Sequence, residues 1–195
     1  MGCGSGGHLV HLLQGRYVFG VDVDSHLLDV CKEACPGVDL CVEDPKNFDL
    51  QRKFDAVIAP FCIFNHYLTE DEVRHLLSSF ARHLDSGGLL IFDYMAPHQK
   101  RELELQVFES PSLHLARLVQ WVPEQFSVRA ERSYWVRSGK KMDFFVDSLK
   151  YLRFPPSGLV GVITKAGFKK VRLFNGYMDK SYKDAPVAVF CMVKK

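Results

Sequence analysis

The sequence lacks several features that mark broad classes of protein. No stretch approaches the roughly 20 consecutive apolar residues that a membrane-spanning helix needs, and the first residues do not form the basic and then apolar pattern of a secretory signal. Runs of Lys or Arg never exceed two residues, and the formal net charge is only +2. We therefore expect a cytoplasmic protein with neither a membrane nor a nucleic acid as its partner.

Paired cysteine motifs are also missing. None of the six cysteines belongs to a C-x-x-C pair, and they are spread through apolar segments. This distribution matches neither a common zinc site nor a disulfide framework, so we expect free, partly buried thiols and no bound metal. The six residues are Cys3, Cys31, Cys35, Cys41, Cys62 and Cys191.

The first half of the sequence alternates between buried-strand and helix patterns. The strand patterns cover residues 17–23, 38–44, 54–61 and 89–95. The helix patterns cover residues 8–13, 25–35 and 69–84. Strands that alternate with helices imply parallel βαβ units, so we predict an α/β fold with a mostly parallel, doubly wound sheet.

Two of these helices carry signals at their ends. Ser25 is the expected N-cap of the first long helix. Thr69 and Glu72 form a capping box at the start of the next helix, and the Ser-Gly-Gly segment over 86–88 is expected to end it.

The second half changes to β-forming residues. Residues 113–154 hold few helix signals, with a turn expected at Ser138 and Gly139. The pattern then gives one helix and two closing strands, over residues 158–168, 169–177 and 185–194. We predict a single domain, 1–195, in which 113–154 is an antiparallel β insert and the last two strands form an antiparallel hairpin.

The opening letters, MGCGSGG, form a glycine-rich loop just before a helix pattern. Glycines there allow positive φ angles and a close approach of the backbone to a ligand, and the following helix offers free N–H groups to an anion. Asp22 ends the next strand, where a carboxylate can accept from both hydroxyls of a ribose. Together these features indicate a ligand that contains adenosine.

The spacing Gly2-x-Gly4-x-x-Gly7 also fits the dinucleotide fingerprint, so an NAD-dependent oxidoreductase is an alternative. Three features favour another adenosine ligand. A second acid, Asp44, ends the following strand, where an adenine amino group would lie, and a hydrophobic strand follows closely. The sheet is also expected to close with a helix and an antiparallel hairpin, which NAD domains generally lack.

These residues resemble the class I S-adenosylmethionine-dependent methyltransferases. GCGSG resembles their glycine motif, GVDVDSHLLDVCKE their second strand and helix, and HLDSGGLLIFDYMAP their turn and fifth strand. DPKNFDLQRKFDAVIAPF and the β-rich insert are similar to small-molecule members, among which amino-sugar N,N-dimethyltransferases are the nearest group. The resemblance covers residues 2–97 well and the C-terminal elements loosely. It implies a Rossmann-like methyltransferase sheet, S-adenosylmethionine as cofactor, and methyl transfer to a nitrogen or oxygen of a small molecule.

The sequence departs from that family at its start. Members carry a strand before the glycine loop and an N-terminal helix over the site, and both are absent here. The strand would lie between those at 17–22 and 54–59, so we expect a gap of roughly 4.8 Å on each side of its place. We expect an N-terminally truncated version of a longer protein that binds cofactor poorly, which leaves a non-catalytic or degenerate protein as a second alternative.

The resemblance implies a role for each cofactor-binding residue. The set is Gly2, Cys3, Gly4, Gly6, Asp22, Val23, Asp44, Pro45 and Phe61. The loop residues would pass along the methionine and ribose, and Asp22 would hold the ribose hydroxyls. Val23 would lie against the adenine ring, Asp44 would accept from its amino group, and Phe61 would sit near the sulfonium.

The methyl acceptor is expected just after the strand over 54–61, where ligands bind in such sheets. His66 is the candidate catalytic base because it titrates near neutrality, although packing against the next helix would explain it equally well. The candidate substrate-binding residues are Asn65, Tyr67 and Tyr94, with His98 as a further candidate. For Trp121, Tyr134 and Trp135, packing is favoured over a pocket. We also consider a homodimer.

Overall fold

The computed structural model describes residues 1–96, 100–183 and 185–195. The first half contains α1 (Leu9–Leu12), β1 (Phe19–Asp22), α2 (Ser25–Ala34), β2 (Asp39–Val42), β3 (Phe54–Ala59), a 3₁₀ turn (Ile63–His66), α3 (Glu70–Arg82) and β4 (Leu84–Met95). The second half contains β5 (Glu102–Glu109), β6 (His114–Pro123), β7 (Ser127–Ser138), β8 (Lys141–Leu152), α4 (Pro156–Lys165), β9 (Phe168–Asn175) and β10 (Val187–Lys194). Within the described residues, no helix is long and apolar enough to cross a membrane.

The helix ends follow the capping signals in one case and depart from them in two. The capping box of Thr69 and Glu72 is present at α3. The N-cap of α2 is Asp24 rather than Ser25, because the Asp24 carboxylate accepts from the N–H groups of His26 and Leu27. The expected stop over 86–88 is also wrong, since α3 ends at Arg82 and these residues already belong to β4.

The strands of the α/β part form two sheets rather than one. β1 and β2 pair in parallel as a two-stranded sheet. The other sheet has the order β3-β4-β10-β9, in which β3 and β4 are parallel and β10 is antiparallel to both of its neighbours. The antiparallel C-terminal hairpin is therefore confirmed, and so is the expected gap between β1 and β3.

The remaining strands, β5 to β8, form a separate four-stranded antiparallel sheet, called the second sheet below. It begins at Glu102, before the segment 113–154, and its last hairpin turns between Ser138 and Lys141 as predicted. Alternate residues of each strand point to opposite faces. The inner face carries a small core of Val119, Trp121, Val128 and Ala130, against which Met95 and Tyr151 pack.

The main core lies between the β3-β4-β10-β9 sheet and the helices α3 and α4. Val73, Leu76, Leu77 and Phe80 of α3 are fully or almost fully buried at steps of three and four residues, as the capped amphipathic pattern predicts. The ring of Phe92 on β4 stacks between Phe64 and Phe190, with centroid distances of 3.7 and 4.8 Å. This core holds the carboxyl ends of β3 and β4 and the 3₁₀ turn in fixed positions.

Candidate functional site

The glycine loop is tied to the end of β1 through Asp22. One carboxylate oxygen of Asp22 accepts from the Gly4 N–H at 2.8 Å and the other from the Asp24 N–H at 3.1 Å. The side chain is almost buried, with 8% exposed. Since each carboxylate oxygen has two lone pairs, Asp22 can still accept from further donors such as hydroxyl groups.

The loop conformation depends on glycine at two positions. Gly2 has φ +63° and Gly6 has φ +90°, which an L side chain rarely adopts. A Cβ at Gly2 would also collide with Ile63 at the start of the 3₁₀ turn, and one at Gly6 would lie 2.9 Å from the sulphur atoms of Cys31 and Cys35. The glycines therefore let the loop lie directly against the 3₁₀ turn on one side and against α2 on the other.

The thiols near the loop are structural. All six cysteines are free, as predicted. Cys31 and Cys35 are buried beside the loop, and burial, with a smaller contribution from Cys31, raises the pKa of the Cys3 thiol to about 12. Cys3 therefore stays protonated and apolar in character at neutral pH.

The two predicted acids lie at the same edge of the sheet. Asp22 is paired in register with Val42, and the N–H of Glu43 donates to the backbone oxygen of Asp22 at 3.0 Å. Asp44 follows directly in an exposed turn, in which its carboxylate accepts from the Lys46 N–H at 2.8 Å. Val23 is 61% exposed at this edge, whereas Pro45 is buried and supports the turn.

The turn at the end of β3 is fixed by Asp93, an acid that was not among the predicted site residues. Asp93 of β4 is 3% exposed and accepts from the N–H groups of Phe61 at 3.0 Å and Cys62 at 2.5 Å, as well as from the Tyr177 hydroxyl. Phe61 and Cys62 both have positive φ, at 62° and 56°. This turn leaves the Phe61 ring 71% exposed, beside the ring of His8 at 5.0 Å. The sequence signal that could have pointed to Asp93 is an acidic residue near the end of a predicted strand.

His66 closes the 3₁₀ turn and faces the second sheet. Its ring centroid lies 5.0 Å from that of Tyr151. The residue remains accessible to solvent, but packing of the ring against the sheet, and then the positive charge of Arg132, lower the pKa of His66 below its ordinary value. The imidazole is therefore neutral at neutral pH and able to accept a proton.

The residues predicted to bind substrate are buried. The side-chain amide of Asn65 donates to the Met95 carbonyl oxygen at 2.9 Å and accepts from the Met95 N–H at 2.8 Å. The Tyr94 hydroxyl lies 3.1 and 3.0 Å from the carbonyl oxygens of Leu152 and Phe154. Both side chains are 0% exposed, and they join β4 to the 3₁₀ turn and to the end of β8.

Tyr67 is also nearly buried, with 7% exposed. Burial, and then the nearby charges of Asp44 and Glu72, raise its pKa to about 12. Tyr67 therefore lies near both the Asp44 turn and the start of α3. The candidate His98 lies outside the described residues.

The inner face of the second sheet supplies polar groups next to His66. Arg132 forms a bidentate ion pair with Asp147, at 2.5 and 2.7 Å, and its guanidinium lies 6.0 Å from the centre of the Tyr134 ring. The positive charges of Arg132 and Arg117 both act on Tyr151. The Nε atom of Arg117 is buried and has no hydrogen-bond partner within the described part of the chain. The structure therefore places Tyr151 and Arg132 beside His66, with Tyr134 and Arg117 on the same face of the sheet.

The three aromatic residues for which packing was favoured divide between the two faces. Trp121 is in the small core, Tyr134 shares its face, and Trp135 lies on the outer face against Phe144, with ring centroids 5.3 Å apart. Trp135 is therefore remote from His66.

The sheet edge fits an adenosyl ligand by its chemistry. Asp22 offers lone pairs to hydroxyl groups and Asp44 offers an exposed carboxylate to an amino group, while Val23 and Phe61 expose apolar surface to a ring system. Part of the glycine loop is already used, however. The Cys3 N–H donates to the Val21 oxygen, the Gly4 N–H to Asp22, and the Gly6 N–H to the Cys3 oxygen. Fewer loop N–H groups are thus free for an anion than the sequence suggests.

Comparison with protein families supports this assignment. Residues 1–88 match the family described as "Methyltransferase domain". The chain is 26% identical over 179 residues to the dTDP-3-amino-3,4,6-trideoxy-alpha-D-glucopyranose N,N-dimethyltransferase of Streptomyces venezuelae. That match covers 89% of this chain and 76% of the relative.

Solved structures show the same fold. An S-adenosylmethionine-dependent methyltransferase from Clostridium acetobutylicum superposes with a TM-score of 0.87 at 16% identity, over 99% of this chain and 81% of that chain. The SAM-bound CalS10, an amino pentose methyltransferase from Micromonospora echinaspora, superposes with a TM-score of 0.84 at 21% identity, over 100% of this chain and 81% of that chain. At these identities the likeness concerns the fold, which agrees with the Rossmann-like sheet predicted above.

Proposed function

Because this chain is a class I S-adenosylmethionine-dependent methyltransferase of the small-molecule type, we propose that it methylates the amino nitrogen of a nucleotide-linked amino sugar. The observation that carries this proposal is the likeness to a dTDP-amino-sugar N,N-dimethyltransferase along 89% of the chain. The glycine spacing left an NAD-dependent oxidoreductase as an alternative, and the same comparisons favour S-adenosylmethionine as the cofactor.

We assign the cofactor to the edge formed by the glycine loop and the carboxyl ends of β1, β2 and β3. Asp22 would hold the ribose hydroxyls, Asp44 the adenine amino group, and Val23 and Phe61 the apolar surface of the ligand, as their exposure and position allow. Gly2 and Gly6 shape the loop, the Cys3 side chain packs against the small core under it, and Pro45 supports the turn that carries Asp44. S-adenosylmethionine supplies a methyl group on a positively charged sulphur and leaves as S-adenosylhomocysteine.

We assign proton transfer to His66. An amine acceptor is protonated in water at neutral pH, so it must lose a proton before its lone pair can attack a methyl carbon. The lowered pKa of His66 keeps its imidazole neutral and ready to accept that proton. Asn65 and Tyr94 were expected to bind the substrate, but their polar atoms already bind backbone groups. In this proposal they instead position the turn that carries His66.

The inner face of the second sheet suits the anionic part of such a substrate. A diphosphate is matched by guanidinium groups, which bind phosphate oxygens in pairs. Arg117 has a buried, unpartnered Nε within the described residues, and Arg132 lies nearby but is paired with Asp147. We therefore assign the stronger phosphate contact to Arg117.

Two measurements test this function. First, we expect S-adenosylhomocysteine, but not NADH, to raise the melting temperature. Second, we expect transfer of a labelled methyl group to a dTDP-amino sugar and not to the same dTDP-sugar with a hydroxyl in place of the amine. His66→Asn should lower this transfer about 100-fold, whereas His75→Asn, at an exposed position of α3, should leave it unchanged.

The outcomes separate the parts of the proposal. Stabilisation by NADH alone would contradict the cofactor. Stabilisation by S-adenosylhomocysteine without transfer to any amino sugar would contradict the acceptor class while the cofactor site stands. Equal transfer by wild type and His66→Asn would contradict the role of His66 alone.

We also propose that the protein is a homodimer that packs through the outer face of the second sheet. Seven large apolar side chains of this face are 38–66% exposed: Leu103, Leu105, Val107, Trp135, Met142, Phe144 and Val146. At about 100 Å² each they offer on the order of 700 Å², close to the roughly 800 Å² per partner of a standard interface. A second copy presents the same apolar surface, so the two sheets can cover each other.

Analytical ultracentrifugation tests the dimer. Phe144→Lys should give a monomer, whereas Phe145→Lys, which is equally exposed on the inner face, should remain dimeric. A wild-type protein that sediments as a monomer at micromolar concentration would contradict the proposal. We further propose a reducing, cytoplasmic location, because a chain with six free thiols suits a reducing compartment.

A further inference from the structure

A tight turn follows β9 and carries Tyr177. The Asn175 N–H donates to the Lys180 oxygen at 2.8 Å, and the Tyr182 N–H donates to the Leu173 oxygen at 3.1 Å. These two bonds close a tip of four residues, 176–179, called the hairpin tip below. The position of Tyr177 is therefore set by backbone hydrogen bonds of the hairpin.

The hairpin tip is joined to the turn after β3 through Asp93. The Tyr177 hydroxyl donates to the Oδ2 atom of Asp93 on β4, across the intervening strand β10. The same oxygen atom accepts from the Phe61 N–H at 3.0 Å. Because each hydrogen bond is about 3 Å long, the Tyr177 hydroxyl and the Phe61 nitrogen lie within about 6 Å of each other. Tyr177 therefore lies beside the turn that carries Phe61, the residue assigned above to the cofactor.

The charge of Asp93 has no cationic partner among the described residues. Its three partners, the N–H groups of Phe61 and Cys62 and the Tyr177 hydroxyl, are neutral donors, as suits an ionised carboxylate. The Asp93 side chain is 3% exposed. A buried negative charge is costly unless a positive charge lies near it. This side of the site therefore favours a cation.

Tyr177 lies where a ligand can approach this charge. The residue is 73% exposed although its hydroxyl reaches a buried acid, so the ring is open to solvent. Burial of the hydroxyl, and then the hydrogen bond to Asp93, raise the pKa of Tyr177, so the phenol keeps its proton at neutral pH. The face of an aromatic ring attracts a cation that lies within about 6 Å of the ring centre. The ring and the carboxylate behind it thus attract a cation together.

We propose that Tyr177 is a specificity-determining residue whose ring binds the positively charged amino group of the acceptor. This role rests on the function proposed above, in which the acceptor amine meets the methyl group beside Phe61. The amine arrives as an ammonium ion, before His66 takes its proton, whereas a hydroxyl acceptor is neutral. The ring therefore favours an amine over a hydroxyl at the same position of the sugar.

Sugar binding to the complex with S-adenosylhomocysteine tests this role. Calorimetric titration gives the dissociation constants of a dTDP-amino sugar and of the same dTDP-sugar with a hydroxyl in place of the amine, and their ratio is the preference for the amine. Tyr177→Leu should lower this preference about fivefold. Tyr177→Phe keeps the ring, although it loses the bond to Asp93, and should lower the preference less than twofold.

The matched control is Tyr17→Leu. Tyr17 is also an exposed tyrosine whose hydroxyl donates to an acid, Asp39, at 2.5 Å, but it precedes β1 at the end away from the cofactor. This variant should leave the preference unchanged. An equal loss in Tyr177→Phe and Tyr177→Leu would overturn the role of the ring, and so would an unchanged preference in Tyr177→Leu.

Two further outcomes separate this role from the function on which it rests. If the wild type binds the amino sugar but Tyr177→Leu lowers only the affinity for S-adenosylmethionine relative to S-adenosylhomocysteine, the ring faces the sulfonium and its role toward the acceptor is wrong. If the wild type binds neither sugar, the proposed acceptor class is wrong, and the role of Tyr177 is wrong with it.

Discussion

The two sheets of the α/β part differ in how much apolar surface holds them. In the described part of the chain, the core around the β3-β4-β10-β9 sheet contains twenty buried apolar residues, whereas the cluster under β1 and β2 contains three: Leu9, Cys31 and Cys35. The candidate cofactor residues Gly2 to Gly6, Asp22 and Asp44 belong to the weakly packed part, while His66 and Asp93 belong to the strongly packed one. The cofactor half of the site is therefore expected to open locally well before the protein unfolds.

The largest effect is expected from the strongly packed sheet. Phe92→Ala removes the ring that stacks between Phe64 and Phe190, and a large cavity remains. The free energy of unfolding should fall by about 3–5 kcal/mol. Urea denaturation measures this, with Phe126→Ala, a 73% exposed ring, as the control that should change it by about 0.5 kcal/mol or less. A similar loss for both variants would mean that the stacked ring of Phe92 stabilises the protein no more than an exposed ring does.

In the weakly packed sheet, the largest effect is expected on cofactor binding. Asp22→Asn keeps the shape of the side chain but puts an NH₂ group opposite a backbone N–H of Gly4 or Asp24. We expect the affinity for S-adenosylhomocysteine to fall about 10- to 100-fold, the loss of a charge-assisted hydrogen bond. Calorimetric titration measures this.

The control for Asp22 is Asp29→Asn, an exposed carboxylate on α2. It should leave affinity unchanged. An unchanged affinity in Asp22→Asn as well would contradict the assignment of the ribose hydroxyls to Asp22.

The features that could be predicted from sequence are those that depend on local patterns. Most of the strands, the capping box of α3 and the acids at the strand ends follow from local patterns, and these agree with the structure, although β5 was not predicted. Asn65 and Tyr94 look equally suited to a site in sequence, because both follow or end a buried strand. Only the tertiary packing of Met95, Leu152 and Phe154 around them shows that their polar atoms are already used.

Asp93 is the opposite case, a residue whose role the sequence does not reveal. Phe92 and Tyr94 point into the core, so alternation places Asp93 on the other face of β4, where the sequence pattern gives no reason to expect a buried carboxylate. Its role depends on two backbone N–H groups thirty-one and thirty-two residues earlier in the chain, which no local pattern reveals.

An intermediate effect is expected from Asp93 because it joins the strongly packed sheet to the exposed Phe61. Asp93→Asn replaces one acceptor oxygen by a donor that faces an N–H group of Phe61 or Cys62. The free energy of unfolding should fall by about 1–3 kcal/mol. Adding Cys62→Gly should recover part of this loss, since glycine adopts positive φ without strain.

The measurement for Asp93 is urea denaturation of the single and double variants. Asp85→Asn, an exposed residue of β4, is the matched control and should change little. If Cys62→Gly destabilised the Asp93 variant further, the turn would not depend on the hydrogen bonds that its N–H groups donate to Asp93.

The smallest effect is expected where the 3₁₀ turn packs against the second sheet. Arg132 contributes a positive charge that disfavours protonation of His66, in addition to the larger effect of burial. In Arg132→Met the pKa of His66 should rise, by less than about one unit, because burial remains. Asp147, freed from its ion pair, acts in the same direction. Arg132→Lys keeps the charge and should leave the pKa low.

The direction of this change in the pKa of His66 can be followed in the pH dependence of methyl transfer. If neutral His66 is the base, the rate rises with pH as the imidazole loses its proton, and the midpoint of this rise in the wild type lies below about 6.5, the ordinary histidine value. The midpoint should move up in Arg132→Met and stay in Arg132→Lys, and the His66 imidazole resonances should titrate at the same pH values. A midpoint that moves in the rate but not in the imidazole titration would mean that another group, and not His66, carries the proton.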